Sequence, residues 1–129
     1  MALNRSFLFA PGNHPRRVEK AFTLGADAVI LDLEDAVAIA EKPAAREAVV
    51  AALARTRPCR GYARVNAPST PYCYADLVSV LRPGIDGVVL PKVESAADLH
   101  LAWHTCWLRR RDAQRLRDVP RVRTSESAG

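Results

Sequence analysis

The chain has 129 residues, 49% hydrophobic and 26% charged, with six Gly and nine Pro, a composition that suits one soluble globular domain. No apolar run reaches the ~18 residues of a membrane span, and "FLFA" before Pro11 and Gly12 is too short for the core of a signal peptide. The net charge of +5 resides at the end of the chain: residues 1–102 carry 12 basic and 11 acidic side chains, residues 103–129 seven Arg against three acids.

Cys59, Cys73 and Cys106 are odd in number and widely spaced, without a C-x-x-C pair, which excludes a disulfide framework and a zinc cluster and fits reduced thiols in the cytoplasm. The Arg-rich end lacks aromatic interleaving and any helix-turn-helix or RNP pattern, so no nucleic-acid partner is expected, and no membrane.

In chain order, Ser6–Ala10 predicts a strand ended by "PGNHP", followed by a helix with Val18, Ala21 and Phe22 at helical spacing. "DAVILDLED" predicts a second strand with too little alternation for a sheet wet on one face. "AAREAVVAALART" predicts a helix, "CRGYARVN" a third strand and "YADLVSVLR" a short helix. "IDGVVLPKVE" predicts a fourth strand, and a fourth helix opens at "SAADLHLAWHTCWLRRR" with Ser95 as N-cap and Asp98 at N3. Four strand-helix repeats imply an α/β fold with a parallel sheet, either doubly wound or a barrel. Residues 1–108 form the predicted domain; 109–129, basic and without periodicity, predict a frayed helix end and a disordered tail with no strand.

Parallel α/β folds place their chemistry at the carboxyl ends of strands, and all four predicted ends are polar: "PGNHPRR", "DLEDAV", "RVN" and "PKVES". Asp32 and Glu34 share one side of their strand and Asp35 takes the other. The pair repels unless a cation lies between, either Mg²⁺ or a basic side chain; Glu34 has Lys42 or Arg46 as further potential partners. Arg64 offers a planar fork for a substrate carboxylate, or alternatively neutralises Glu34 or Asp35. Arg16, Arg17 and Lys20 follow "PG" in the first turns of a helix and suggest a phosphate-bearing ligand, while His14 has no triad partner and reads as a surface residue.

The stretches "RSFLFAPGNHPRRVEKA", "GADAVILDLEDAVA", Lys42 followed by "AAR", "RVN" and "DGVVLPKVES", in this order and spacing, resemble the citrate lyase beta-subunit family of the HpcH/HpaI aldolase superfamily, from Arg5 to about Leu101. The resemblance implies a (β/α)₈ TIM barrel, of which this chain is the first half. It also implies Mg²⁺ and the cleavage of short 3-hydroxyacyl thioesters of citryl, malyl or citramalyl type, carried on CoA or an acyl carrier protein. By the same resemblance Arg64 holds the oxo-acid carboxylate, Glu34 and Asp35 lie beside the metal and its waters as catalytic candidates, and Arg16, Arg17 and Lys20 lie near the carrier's phosphates. Lys92 and Glu94 receive no role.

The family's metal ligands belong to the fifth and sixth strands, which this sequence is not expected to supply, so no metal ligand is assigned here. A barrel needs ~250 residues. The switch to Arg-rich text after "LHLA" is what a reading-frame change would produce, and the competing reading is a truncated, inactive lyase fragment. Such a half barrel is expected to self-associate, with inward residues such as Val29, Leu31, Val65 and Val89 facing solvent or a partner.

Overall fold

The computed structural model describes residues 3–112 and 121–125. Strands β1 (Phe7–Pro11), β2 (Ala28–Asp32), β3 (Arg60–Arg64), β4 (Gly87–Pro91) and β5 (Arg121–Ser125) form one sheet in sequential order, every neighbouring pair parallel. Helices α1 (Pro15–Ala21), α2 (Lys42–Ala54), α3 (Cys73–Val80) and α4 (Ala96–Asp112) fill the crossovers, and a 3₁₀ turn (Ile39–Glu41) precedes α2. This is the expected α/β architecture of parallel strands alternating with helices, a partial TIM barrel.

β2 and β4 are buried at every residue, which explains their nearly unbroken apolar text: a strand covered on both faces has no reason to alternate. That uniformity hides the strand's phase. Val29, Leu31 and Val65, expected to point inward, instead face the helices at 0% exposure, in one cluster with Val18 of α1, Val49 and Leu53 of α2, and Leu77 of α3. The opposite face carries a smaller cluster, Ala28, Ile30, Tyr62 and Val89, and Val89 is itself only 5% exposed. Its apolar outlets are Phe7 and Phe9 on the edge strand β1, 42% and 48% exposed.

The fifth strand corrects the reading of a strandless tail. Arg121–Ser125 pairs with β4 over five positions, from Gly87 opposite Arg121 to Pro91 opposite Ser125. The remainder of that tail, residues 113–120 and 126–129, lies outside the described residues. α4 starts as read: the Asp98 carboxylate accepts the Ser95 backbone N–H at 3.3 Å and that of Glu94 at 2.9 Å, closing the orphan donors of the helix start. No helix among the described residues is long and apolar enough to cross a membrane.

The amino ends of the strands are tied by structural ion pairs. Asp86 accepts Arg57 Nη2 at 2.6 Å and the Gly61 N–H at 2.8 Å, and Asp27 accepts the Arg5 and Ser6 N–H groups at 2.7 and 3.0 Å. This leaves the carboxyl ends for chemistry.

Candidate active site at the carboxyl ends of the strands

Strand register brings the site together. Pro11 lies opposite Asp32, Asp32 opposite Arg64, and Arg64 opposite Val89, so the last residues of three strands stand level across the sheet. The "PG" after β1 is required by packing: Gly12 donates its N–H to the Asp32 carbonyl at 2.8 Å, and a Cβ there would stand 2.7 Å from that oxygen and 2.6 Å from Val49 Cγ2.

Arg64 donates from Nε to Asp32 Oδ1 at 2.9 Å and from Nη2 to Oδ2 at 2.7 Å, a two-point fork. Asp32 also accepts the backbone N–H groups of Glu34 (2.9 Å) and Ala36 (3.1 Å). Burial alone would push this carboxyl up; the Arg64 fork and the two amides outweigh it and hold Asp32 below the usual carboxylate range. The same hydrogen bonds, donated by Arg64 to Asp32, outweigh burial and raise the pKa of Arg64. Arg64 lies over the Phe9 ring, 4.9 Å from its centroid, and its Nη1 stands 3.7 Å from Glu34 Oε1. The cation between the two acids is therefore a basic side chain, and Arg64 neutralises Asp32 first.

Glu34 is buried, and its Oε2 accepts no hydrogen bond from the described residues. Burial raises its pKa; Arg64 and Lys92 pull it down, and Asp35 and Asp32 push it up. Lys92 Nζ stands 3.7 Å from Glu34 Oε2 and 3.7 Å from Asp35 Oδ1. Asp35 itself is exposed. The structure thus gathers Glu34, Asp35 and Arg64, with Asp32 and Lys92 added. A pocket of ≈ 180 Å³ opens beside them, lined by Phe9, Ala10, Pro11, Asp32, Ala36 and Arg64.

Arg16, Arg17 and Lys20 are exposed on α1 and form no ion pair with a described residue. They are not part of this cluster. Neither Lys42 nor Arg46 pairs with the Glu34 carboxylate. Buried Lys42 donates to the carbonyls of Leu33 (2.9 Å) and Glu34 (3.1 Å) and to Asn66 Oδ1 (2.7 Å); Arg46 Nε donates to buried Asp76 at 2.6 Å. Asp76 accepts in turn from Asn66 N and Nδ2, at 2.8 and 2.6 Å. This buried network anchors the turns after β2 and β3 from below the site. Sequence reasoning read Lys42 only as a potential partner of Glu34 and assigned no role to Asn66 or Asp76; the one available signal was Lys42 and Asn66 falling inside the motifs "K…AAR" and "RVN".

A divalent ion of the Mg²⁺ kind needs several oxygens free to converge. Both Asp32 oxygens are committed to N–H donors, Glu34 and Asp35 face cations, and no group of three or more His, Cys, Asp or Glu side chains converges among the described residues. β5, "RVRTS", adds no carboxylate. The described residues do not fit a Mg²⁺ site by themselves.

A parallel sheet with this register and a fork-and-carboxylate cluster at its carboxyl edge defines a barrel-type α/β protein with a polar site. The chain belongs to the HpcH/HpaI aldolase/citrate lyase family, whose model matches residues 5–124. It is 42% identical over 100 residues to the citrate lyase subunit beta of Leuconostoc mesenteroides subsp. cremoris, covering 76% of this chain and 33% of that protein. With the L-malyl-CoA/beta-methylmalyl-CoA lyase of Rhodobacter capsulatus it shares 41% identity over 103 residues, 76% of this chain and 32% of the relative. The chain spans about a third of the length of these curated relatives. Among solved structures, the citrate lyase beta subunit of M. tuberculosis complexed with oxaloacetate and magnesium matches with a TM-score of 0.65 at 42% identity, over 77% of this chain and 43% of that one. The malate synthase of Haloferax volcanii, 18% identical, matches with a TM-score of 0.80 over 95% of this chain and 42% of that one, a likeness of fold alone.

Proposed function

We propose that this chain carries the oxo-acid-binding end of a Mg²⁺-dependent carbon–carbon lyase of the citrate lyase beta-subunit type. The reaction cleaves a 3-hydroxyacyl thioester, citryl-, malyl- or citramalyl-like and carried on CoA or an acyl carrier protein, into an oxo acid and an acetyl thioester. The hydroxyl gives up its proton as the new carbonyl forms, the electrons of the broken C–C bond pass to the acetyl α-carbon, and that carbon takes a proton.

The observation that carries the reading is Arg64, clamped by Asp32 and seated on Phe9 at a pocket mouth, with Nη1 making no hydrogen bond to a described residue. That edge can meet the oxo-acid carboxylate. Glu34, buried with one oxygen unbonded, is the candidate proton carrier, and Asp35, exposed and ion-paired to Lys92, is the weaker one. Arg16, Arg17 and Lys20 are the cations that would meet the carrier's phosphates.

A second reading, a catalytically inactive fragment of such a lyase, is favoured by the missing donor set among the described residues. Calorimetry with oxaloacetate, beside an assay with citryl-CoA, malyl-CoA and Mg²⁺, tests both. Binding with turnover supports the lyase, binding without turnover supports the fragment, and absence of oxaloacetate binding overturns the oxo-acid site.

A further inference from the structure

Lys92 is the one non-glycine residue with a positive φ among the described residues, at +51°. For an L-residue with a long side chain, this left-handed conformation is strained and persists only where the surroundings impose it. It lies immediately past the end of β4, three residues beyond Val89, the residue opposite Arg64. The distorted backbone delivers Nζ to 3.7 Å from both Glu34 Oε2 and Asp35 Oδ1. Glu34 Oε2 is the buried carboxylate oxygen for which no hydrogen bond is available, and its partner oxygen faces Arg64 Nη1. We propose that Lys92 is a positioning residue for Glu34: its strained backbone aims the ammonium between Glu34 and Asp35, so that the Glu34 carboxylate is held between two cations, Arg64 on the Oε1 side and Lys92 on the Oε2 side.

The placement has a chemical logic. Arg64 is already committed to Asp32 through Nε and Nη2, so it restrains Glu34 only from the Nη1 side. Without a second cation the Glu34 carboxylate would sit beside Asp32 and Asp35, two like charges, in a buried setting. The ion pair from Lys92 offsets both neighbours from β4, across the sheet. A glycine at this position would adopt the same φ at no steric cost but would deliver no charge. The strain is thus retained for the side chain it aims.

The charged groups facing Glu34 are Asp32 and Asp35 from the end of β2, Arg64 from β3 and Lys92 from β4. Three variants separate charge from backbone. Lys92→Met keeps length and strain but removes charge, Lys92→Gly removes both charge and strain, and Lys92→Arg keeps charge and strain. The direct readout is the titration of Glu34 followed by carboxyl ¹³C NMR in Glu-labelled protein, assigned with Glu34→Gln; it needs no turnover and no ligand.

The expected result is an upward move of the Glu34 midpoint in Lys92→Met and Lys92→Gly alike, with Lys92→Arg close to the parent and Lys92→Gly at least as resistant to heat. Oxaloacetate affinity should fall roughly two- to fivefold in the two uncharged variants, the scale of a partly exposed ion pair. This binding arm alone rests on the proposed function: loss of oxaloacetate binding in the parent chain would overturn that reading and leave the NMR result standing. A Glu34 titration unchanged in Lys92→Met and Lys92→Gly, or shifted equally in Lys92→Arg, would overturn the proposal.

Discussion

Arg64 and Asp32, on adjacent parallel strands and in direct register, make a two-point ion pair at 2.9 and 2.7 Å. A guanidinium held in this way keeps its plane fixed and presents only its remaining edge to the pocket. Arg64→Lys keeps the charge but cannot bridge both Asp32 oxygens and still face the pocket. The variant should lose about 2 kcal/mol of stability and most oxaloacetate affinity, measured by urea unfolding and calorimetry.

The same pair sets the acid limb of stability. The Asp32 carboxyl is held below its ordinary 3.8 in the folded state, so its contribution is present above that value and is lost as pH falls toward the folded pKa. Glu34 runs the other way: its folded pKa lies above 4.5, so the stability it contributes is present at lower pH and is lost as pH rises through the folded value. Urea unfolding from pH 3 to 7 should therefore show a shallower acid loss in Asp32→Asn. Glu34→Gln should gain relative to the parent as pH rises toward neutrality. Parallel profiles for parent and variants would contradict both assignments.

Beneath the site, Lys42 satisfies three oxygens on two turns, and Asp76 accepts from Arg46 and Asn66. Removing either charge strands buried partners. Lys42→Met and Asp76→Ala should each cost about 3 kcal/mol, visible as a shift of the unfolding midpoint without a change in slope. A change below about 0.5 kcal/mol, the range of ordinary surface substitutions, would mean the network is solvated rather than structural.

β1 is an edge strand of the described sheet, and Phe7 and Phe9 present apolar surface beside it. Such an edge invites pairing with another chain. Light scattering coupled to size-exclusion chromatography should show a mass above that of one 14.1 kDa chain, rising with concentration. One sharp monomer peak across a wide range of concentration would contradict this.

Much of this architecture was legible because β1, β2 and β4 are apolar runs and each of the first four strands ends in a polar stretch, "PGNHPRR", "DLEDAV", "RVN" or "PKVES". The strand faces were not: when both sides are buried, as for Val29 and Leu31, apolar text carries no period of two. β5 was obscured for the opposite reason. "RVRTS" needs only its backbone to extend the sheet at β4, and its two Arg and two hydroxyl residues give no apolar signal. Within the site, Arg64, Glu34 and Asp35 could be named from residue type and position. The choice of Asp32 as the partner of Arg64 depends on cross-strand register, and the reach of Lys92 on a left-handed residue, neither of which the sequence spells out.

Calorimetric titration of oxaloacetate into the parent chain and into Arg64→Lys, at neutral pH with and without Mg²⁺, tests the carboxylate site most directly. Saturable binding by the parent that Arg64→Lys loses is the predicted result. Equal affinity in the two proteins, or no binding by the parent under either condition, would contradict the assignment of these strand ends as an oxo-acid site.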